Sequence, residues 1–222
     1  MSATAGLIVV AAGTGTRLGA AVHKALVELS GRALVEHTLR RLLTLPQLKP
    51  VVLVGHPDDR PALQRMLAGL PTSVQLVDGG ARRQDSVAAG LAAIGESCDI
   101  VLVHDAARPF VPLETIEPLI AAAREHGCAL LAVPVADTLK RARDDDAAGV
   151  DCTISRSGLW AAQTPQAFDR ARLVERLADA QASGTSVTDE AGLFEAAGLP
   201  VRFVEGSTLN IKLTTAADLE LA

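Results

Sequence analysis

Two periodicities alternate along this chain. Gly6–Ala11 is a short unbroken apolar run, the pattern of a strand buried on both faces, and it ends in a glycine-rich polar stretch. Leu34, Val35, Leu39, Leu42 and Leu43 then fall at helical spacing, and Pro46 closes that helix. The same exchange repeats. Strands are predicted at Pro50–Val54, Val74–Val77, Ile100–His104 and Cys128–Val135, with helices at Pro61–Leu70, Ser86–Ile94 and Pro112–Glu125 between them. Near the end come helices at Arg170–Ala182 and Asp189–Ala197, a strand at Val201–Val204 and a short helix at Thr215–Leu221. Apolar strands alternating with helices predict an α/β fold, with a mostly parallel sheet covered by helices on both faces. Crossovers in such a sheet are right-handed, and ligands bind beyond the carboxyl ends of the strands. Three polar clusters fall there: Gly13–Lys24, Gly79–Ser86 and Asp105–Arg108.

The rhythm breaks at Asp137–Ser157, which reads DTLKRARDDDAAGVDCTISRS. Two short β-prone pieces flank an acidic, glycine-containing centre, the pattern of a hairpin with too little apolar surface to stand alone. Such an arm is either a loose surface excursion or an element buried by a partner subunit. The expectation is a single domain over residues 1–222, with 136–158 as a protruding β-hairpin arm.

Composition narrows the function. Hydrophobic residues make up 49% and charged residues 21% of the 222, which suits a packed core rather than disorder. Aromatics are only 2%, so no aromatic platform for stacking nucleic-acid bases is expected. A net charge of -5 argues against a broad surface for nucleic acid or anionic membrane, and any anion must be held by a local cluster. The three cysteines, Cys98, Cys128 and Cys152, have no metal-binding spacing, and reduced thiols are the default. No basic leader precedes the first strand and no apolar run is long enough to span a bilayer, so a soluble cytoplasmic protein is expected.

The loop after the first strand, AAGTGTRLG, fails two familiar tests. A dinucleotide fingerprint needs glycine where Leu18 stands and an acidic residue near Gly55-His56. The spacing of a P-loop is also missing. A plain tight turn would explain the glycines, but not the cations Arg17 and Lys24. Small residues at 11–15 let backbone N–H groups approach phosphate oxygens, and a planar guanidinium with a point-charge ammonium can neutralise a phosphoryl group under attack. Such a pair stabilises the transition state more than the ground state.

Longer stretches carry a resemblance. The loop AAGTGTRLG with His23-Lys24 resembles the signature of sugar-type nucleotidyltransferases. DGGARRQDSVAAGL (78–91), VHDAARPF (103–110), ADTLKRA (136–142), ISRSGLWAAQTPQAF (154–168), TDEAGLFE (188–195) and NIKLT (210–214) narrow it to the 2-C-methyl-D-erythritol 4-phosphate cytidylyltransferase family. The resemblance implies a Rossmann-like sheet of the nucleotide-diphospho-sugar transferase type. It also implies transfer of a cytidylyl group from CTP to methylerythritol phosphate, with release of pyrophosphate. By it, Arg17 and Lys24 stabilise the pentacoordinate phosphorus, and the backbone of Ala11, Ala12, Gly13, Thr14 and Gly15 cradles the nucleotide. Gly80 and Ser86 read the cytosine. Asp105 and Ala107 face the ribose or the alcohol with Arg108 nearby, Lys212 holds the incoming phosphate, and Thr164 touches the polyol phosphate. Thr138 and Arg156, on the arm, are implied to reach the partner's site in a homodimer.

The nucleophile in this chemistry is already an ionised phosphate, so the lack of a Ser-His-Asp arrangement is expected. Two anions must meet, and unit charges ~4 Å apart repel by roughly 4 kcal/mol at an effective dielectric of ~20. Cations and a divalent metal, Mg²⁺ carried mainly by the CTP phosphates, offset this. Related enzymes acting on ribitol 5-phosphate or another polyol phosphate share the nucleotide loops, and a non-catalytic nucleotide-binding module is the reading from a different class. Other assignments concern packing: His104 as a hydrogen-bonded core residue, Trp160 as packing, Asp144–Asp146 as a solvated turn, and Ser86 as the N-cap of its helix. The family commonly has proline and glutamine around its signature lysine, where this chain has His23 and Ala25. Ala81 stands where an acidic residue is common, and Thr208 and Leu209 precede the NIK motif.

Overall fold

A computed structural model describes residues 4–13, 23–144 and 146–222. Thr14, Gly15 and Arg17 of the first loop lie outside the described residues, as does Asp145. The first strand, β1 (Ala5–Ala11), leads to a 3-10 turn at Lys24–Leu26 and a two-strand ribbon of β2 (Glu28–Leu29) and β3 (Arg32–Ala33). There follow α1 (Leu34–Leu42), β4 (Leu48–Gly55), α2 (Arg60–Ala68), β5 (Gln75–Asp78), α3 (Arg83–Ile94), β6 (Ile100–Asp105), α4 (Ile116–His126) and β7 (Cys128–Pro134). The arm is β8 (Leu139–Ala142) and β9 (Val150–Ile154). β10 (Trp160–Asp169), α5 (Arg170–Ser183), α6 (Ala191–Ala196), β11 (Arg202–Glu205) and α7 (Ala216–Leu221) complete the chain.

Seven strands form the main sheet in the order β11-β7-β10-β6-β1-β4-β5. All neighbours are parallel except β10, which runs antiparallel to both β6 and β7. The mostly parallel α/β sheet is therefore as expected, but the sequence pattern did not reveal β10. Alternate residues of β1 serve two cores. Leu7 and Val9 pack with α1, α2 and α4 on one face, and Ile8 packs with α3, α5 and α6 on the other.

Local chemistry sets the helix limits. In α1, Leu34, Val35, Leu39 and Leu42 are buried, Glu36 pairs with Arg40 at 2.7 Å, and the two arginines of the last turn suit the negative helix end. The Asp169 carboxylate accepts from the Arg172 N–H and caps α5. Gly127 ends α4 at φ 90°, a left-handed turn that favours glycine. At Gly90 the helix α3 lies so close to the sheet that an added Cβ would meet the Ile8 Cγ2 at 2.7 Å. Among the described residues, no helix is long and apolar enough to cross a membrane.

The arm is a two-stranded antiparallel ribbon outside the main sheet, as the sequence predicts. Its side chains are largely exposed, with Val150 at 60%, and Asp146 forms a turn by accepting from the Ala148 N–H. Trp160, where β10 begins beside the arm, stacks on Phe203 with ring centroids 5.2 Å apart. Packing is thus part of its role, although 38% of it stays exposed.

Candidate active site

The carboxyl ends of β1, β5 and β6 converge on one cleft. A cavity of about 270 Å³ is lined by Ala11, Ala12 and Gly13 after β1, Lys24, Gly80 and Ser86 at the start of α3, and Asp105 and Ala107 after β6, with Lys212 also on its wall. Every described residue expected at the nucleotide therefore lines this one cavity. The backbone explains how. Gly79 donates its N–H to the Gly55 carbonyl at 2.8 Å and ties the glycine turn to β4. That turn passes so close to Ala12 and Ser86 that Gly79 has no room for a side chain. Lys24 opens its 3-10 turn just after His23, whose Nδ1 lies 2.9 Å from Asp59 and whose ring is 4.2 Å from that of His56. The histidine in the place of the family's proline is thus itself tethered.

Ser86 is not the N-cap of α3. Arg82 stands at that position and donates from its backbone N–H at 3.1 Å and from its guanidinium at 2.8 Å to the Asp85 carboxylate, while Ser86 lies in the first turn. Its hydroxyl accepts from the Gly80 N–H and donates to the Arg82 carbonyl, both at 3.2 Å. The serine shapes the glycine turn from inside the helix, which places both residues at the cleft.

A second cavity of about 190 Å³ adjoins the first and is lined by Arg108, Gln163, Thr164, Gln166 and Thr188 among others. Arg83, Asp105 and Lys212 line both cavities and form the wall between them. On this wall Asp105 receives Arg83 Nη1 on one oxygen and Lys212 Nζ on the other, each at 2.6 Å, with Arg108 Nε at 3.9 Å. Burial opposes ionisation of Asp105, but Arg83 and Lys212 outweigh it and hold the carboxyl well below the usual carboxylate range. Burial also lowers the pKa of Arg108, against the pull of Asp105. Asp105 is thus ionised and gathers Arg83, Lys212 and Arg108 around it.

Lys212 is placed by its neighbours in the NIKLT segment. Leu213 donates its N–H to the Ala107 carbonyl at 2.9 Å, and the Asn210 carbonyl accepts from Arg108 Nη1 at 2.6 Å. The Asn210 amide is fully buried and donates to the Thr164 carbonyl at 2.9 Å. Thr164 itself is only 5% exposed. Its hydroxyl accepts from the Asp105 N–H at 3.1 Å and lies 3.1 Å from His104 Nδ1. The other imidazole nitrogen, Nε2, lies 3.1 Å from the Arg108 carbonyl, which can only accept, so Nε2 carries the proton of the neutral ring and Nδ1 accepts from the Thr164 hydroxyl. His104 is then a neutral core residue, as the sequence suggests, and burial lowers its pKa to about 4. Thr164 lines the second cavity while its hydroxyl secures the backbone of Asp105.

Thr138 and Arg156 are exposed on and beside the arm and line neither cavity of the single chain. Two partners of the wall were not singled out from the sequence. Arg83 forks onto Glu190, with Nε at 3.0 Å from Oε1 and Nη2 at 2.9 Å from Oε2. Glu190 is fully buried, and burial pushes its pKa up while Arg83 pulls it down. Burial works against the charged Arg83, but Asp105 and Glu190 outweigh it and raise its pKa. A signal existed, since both residues fall inside quoted motifs, DGGARRQDS and TDEAG. Among the described residues, no three His, Cys, Asp or Glu side chains are placed to hold a metal ion.

Cations on a wall between two cavities, at the edge where strands of an α/β sheet end in glycine turns, are the equipment of a nucleotidyltransferase. Comparison with known proteins makes this specific. Residues 5–222 match the family of 2-C-methyl-D-erythritol 4-phosphate cytidylyltransferase, and the chain belongs to it. It is 42% identical over 218 residues to the enzyme of that name from Bacillus licheniformis, covering 97% of this chain and 93% of that one. It is 45% identical to the bifunctional enzyme IspD/IspF of Paramagnetospirillum magneticum, of whose length it spans only 55%. Among solved structures, the 4-diphosphocytidyl-2C-methyl-D-erythritol synthase of Anaerococcus prevotii superposes with a TM-score of 0.85 at 32% identity, covering 99% of this chain and 96% of the other.

Proposed function

We infer that this chain transfers a cytidylyl group from CTP to 2-C-methyl-D-erythritol 4-phosphate in non-mevalonate isoprenoid biosynthesis. The products are 4-diphosphocytidyl-2-C-methyl-D-erythritol and pyrophosphate. Family membership supports the reaction. The observation that carries the mechanism is the wall of Arg83, Asp105 and Lys212 shared by two cavities. CTP occupies the cavity of the glycine turns, and the alcohol phosphate occupies the one beside Thr164 and Arg108. An oxygen of the phosphate monoester forms a bond to the α-phosphorus, and the bond to the bridging oxygen of the β-phosphate breaks. Pyrophosphate leaves with that electron pair. No proton needs removal, so the protein's work is positioning and charge neutralisation. Lys24 and Arg17 carry charge at the α-phosphorus, and Lys212 brings the incoming phosphate to the wall.

A divalent cation such as Mg²⁺ suits this donor set. Asp105 is the one carboxylate among the described residues lining the nucleotide cleft, and it is engaged by Arg83 and Lys212. The ion would therefore be held chiefly by the triphosphate, with no protein carboxylate among the described residues free to ligate it in the cleft, and would supply neutralisation of oxygen charge there. The exposed, weakly apolar arm motivates a homodimer in which Thr138 and Arg156 serve the partner's site. Cys98 and Cys128 are buried, Cys152 is partly exposed and none of the three is in a disulfide, which accords with a reducing, cytoplasmic setting.

A pyrophosphate-release assay with CTP and either methylerythritol 4-phosphate or ribitol 5-phosphate tests the substrate. Turnover with the first is expected, and turnover with ribitol phosphate alone would replace the named alcohol. Arg17→Ala and Lys24→Ala should each lower kcat by roughly 10²–10³ while changing CTP affinity far less. Equal losses in both would favour a nucleotide-binding module.

A further inference from the structure

We propose that Glu190 is a positioning residue for this reaction: its buried carboxylate fixes the Arg83 guanidinium, and through it Asp105 and Lys212, on the wall between the two cavities. The proposal rests on the functional reading above and adds residues to its machinery.

Three features of the geometry lead here. Glu190 is fully buried, so it cannot touch either substrate. It nevertheless takes two nitrogens of Arg83, while the remaining one, Nη1, reaches Asp105 at 2.6 Å. A planar guanidinium held along one edge by one carboxylate and at its other end by a second has its plane and its reach fixed. Arg83 opens α3, Asp105 ends β6 and Glu190 precedes α6, so this one side chain braces three elements.

The loop carrying Glu190 is itself secured. Buried Gln166 on β10 donates to Asp189 at 2.8 Å and accepts from the Ala191 N–H at 3.1 Å. The brace therefore ends on the central sheet rather than on a free surface segment. Stability is a poor reason for it, because a buried ion pair seldom outperforms apolar packing of the same volume. Precise placement is a better one. Asp105 shares its two oxygens between Arg83 and Lys212. Without Glu190, the freed guanidinium would be drawn onto both Asp105 oxygens and would compete with Lys212 for them. The ammonium expected to hold the incoming phosphate would lose its seat.

The test uses full-length wild type, Glu190→Gln, Arg83→Lys and the double variant. Glutamine keeps the shape but not the charge, and lysine keeps the charge but not the fork. Steady-state kinetics with CTP and methylerythritol phosphate are compared with CTP binding by calorimetry. Glu190→Gln is expected to lower kcat roughly tenfold or more while CTP affinity stays within about twofold, as suits a group acting on alignment. The double variant should be no slower than the slower single variant, because both break one brace. Unchanged kcat in Glu190→Gln, or losses that multiply in the double variant, would overturn the proposal. A merely structural role predicts a lowered melting temperature with normal kcat at low temperature, and that result also overturns it. Should the wild type turn over no methylerythritol phosphate, the functional reading falls instead. The brace is then judged from the Arg83 Nε–H resonance. Protection from exchange in wild type and its loss in Glu190→Gln support the brace, and identical spectra refute it.

Discussion

Acid should weaken this fold through one imidazole. His104 is fully buried, and its two nitrogens are committed to the Thr164 hydroxyl and the Arg108 carbonyl. Burial holds its pKa at about 4 against an ordinary value of 6.5. The nearest charges act in both directions, Asp105 raising the value and Arg108 and Arg83 lowering it. Because the folded value is depressed, the native state binds fewer protons than the unfolded state between the two values. Stability from this group is complete above the unfolded pKa and is lost as pH falls from there toward 4. Between about pH 7.5 and about pH 5 the linkage amounts to about 2 kcal/mol, rising to about 3 kcal/mol below the folded pKa.

Urea unfolding followed by far-UV circular dichroism measures this directly. Wild type should lose about 2 kcal/mol more than His104→Gln between those two pH values, since the variant keeps polar groups but has nothing to titrate. The variant's own stability is irrelevant, because the difference in pH dependence is the readout. Side-chain NMR should meanwhile show the neutral form, with its proton on Nε2, persisting to about pH 5. Equal acid sensitivity in both proteins would refute the reasoning, and so would a His104 that titrates near its ordinary value.

Two further outcomes test packing and assembly. In Gly90→Val the new side chain meets Ile8 and Val54 beneath α3, and overpacking should cost at least about 1–3 kcal/mol in denaturant unfolding; no loss would mean that the helix stands farther from the sheet. Replacing residues 137–157 by a short glycine linker should convert a sedimenting dimer to a monomer and abolish turnover while CTP still binds. An unchanged oligomer with full activity would contradict the shared site.

The elements legible in the sequence are those in which burial and period agree. β1, β4, β6 and β7 are almost wholly apolar and were placed within a few residues of their observed bounds. β10 was not, and the reason is physical. WAAQTPQAFD carries proline and two glutamines, which argue against a strand between two others. The fold tolerates them because each glutamine has a job. Gln163 donates to the Ser207 carbonyl at 2.8 Å, and Gln166 bonds Asp189 and Ala191. The register also shifts between Ala162 and Gln166, which frees Gln163–Pro165 from regular pairing with β7. The tiny ribbon β2–β3 escaped because two-residue strands have no period. The cleft residues are legible through the motifs, whereas the pairing of Arg83 with Glu190 is not. Their contact spans 107 positions, and one sequence offers no way to pair charges over that distance.

The same pair bears on how an acidic chain keeps an anion site. With a net charge of -5, the average field of this protein repels CTP and a phosphorylated alcohol alike. Cations crowded on the wall would repel one another, and Arg108, already depressed by burial, illustrates the cost. Asp105 relieves that repulsion by lying among Arg83, Lys212 and Arg108. It also leaves fewer positive charges free for the substrates. Glu190 offsets Arg83 from behind, on the side away from both cavities, so that Asp105 need not be spent on the guanidinium alone. Lys212, with 41% of its side chain exposed, is then the member of the group best able to exchange Asp105 for an incoming phosphate. On the proposed reaction, the wall would work as a charge exchange: Asp105 holds the Lys212 ammonium at 2.6 Å, and a more highly charged anion would replace it.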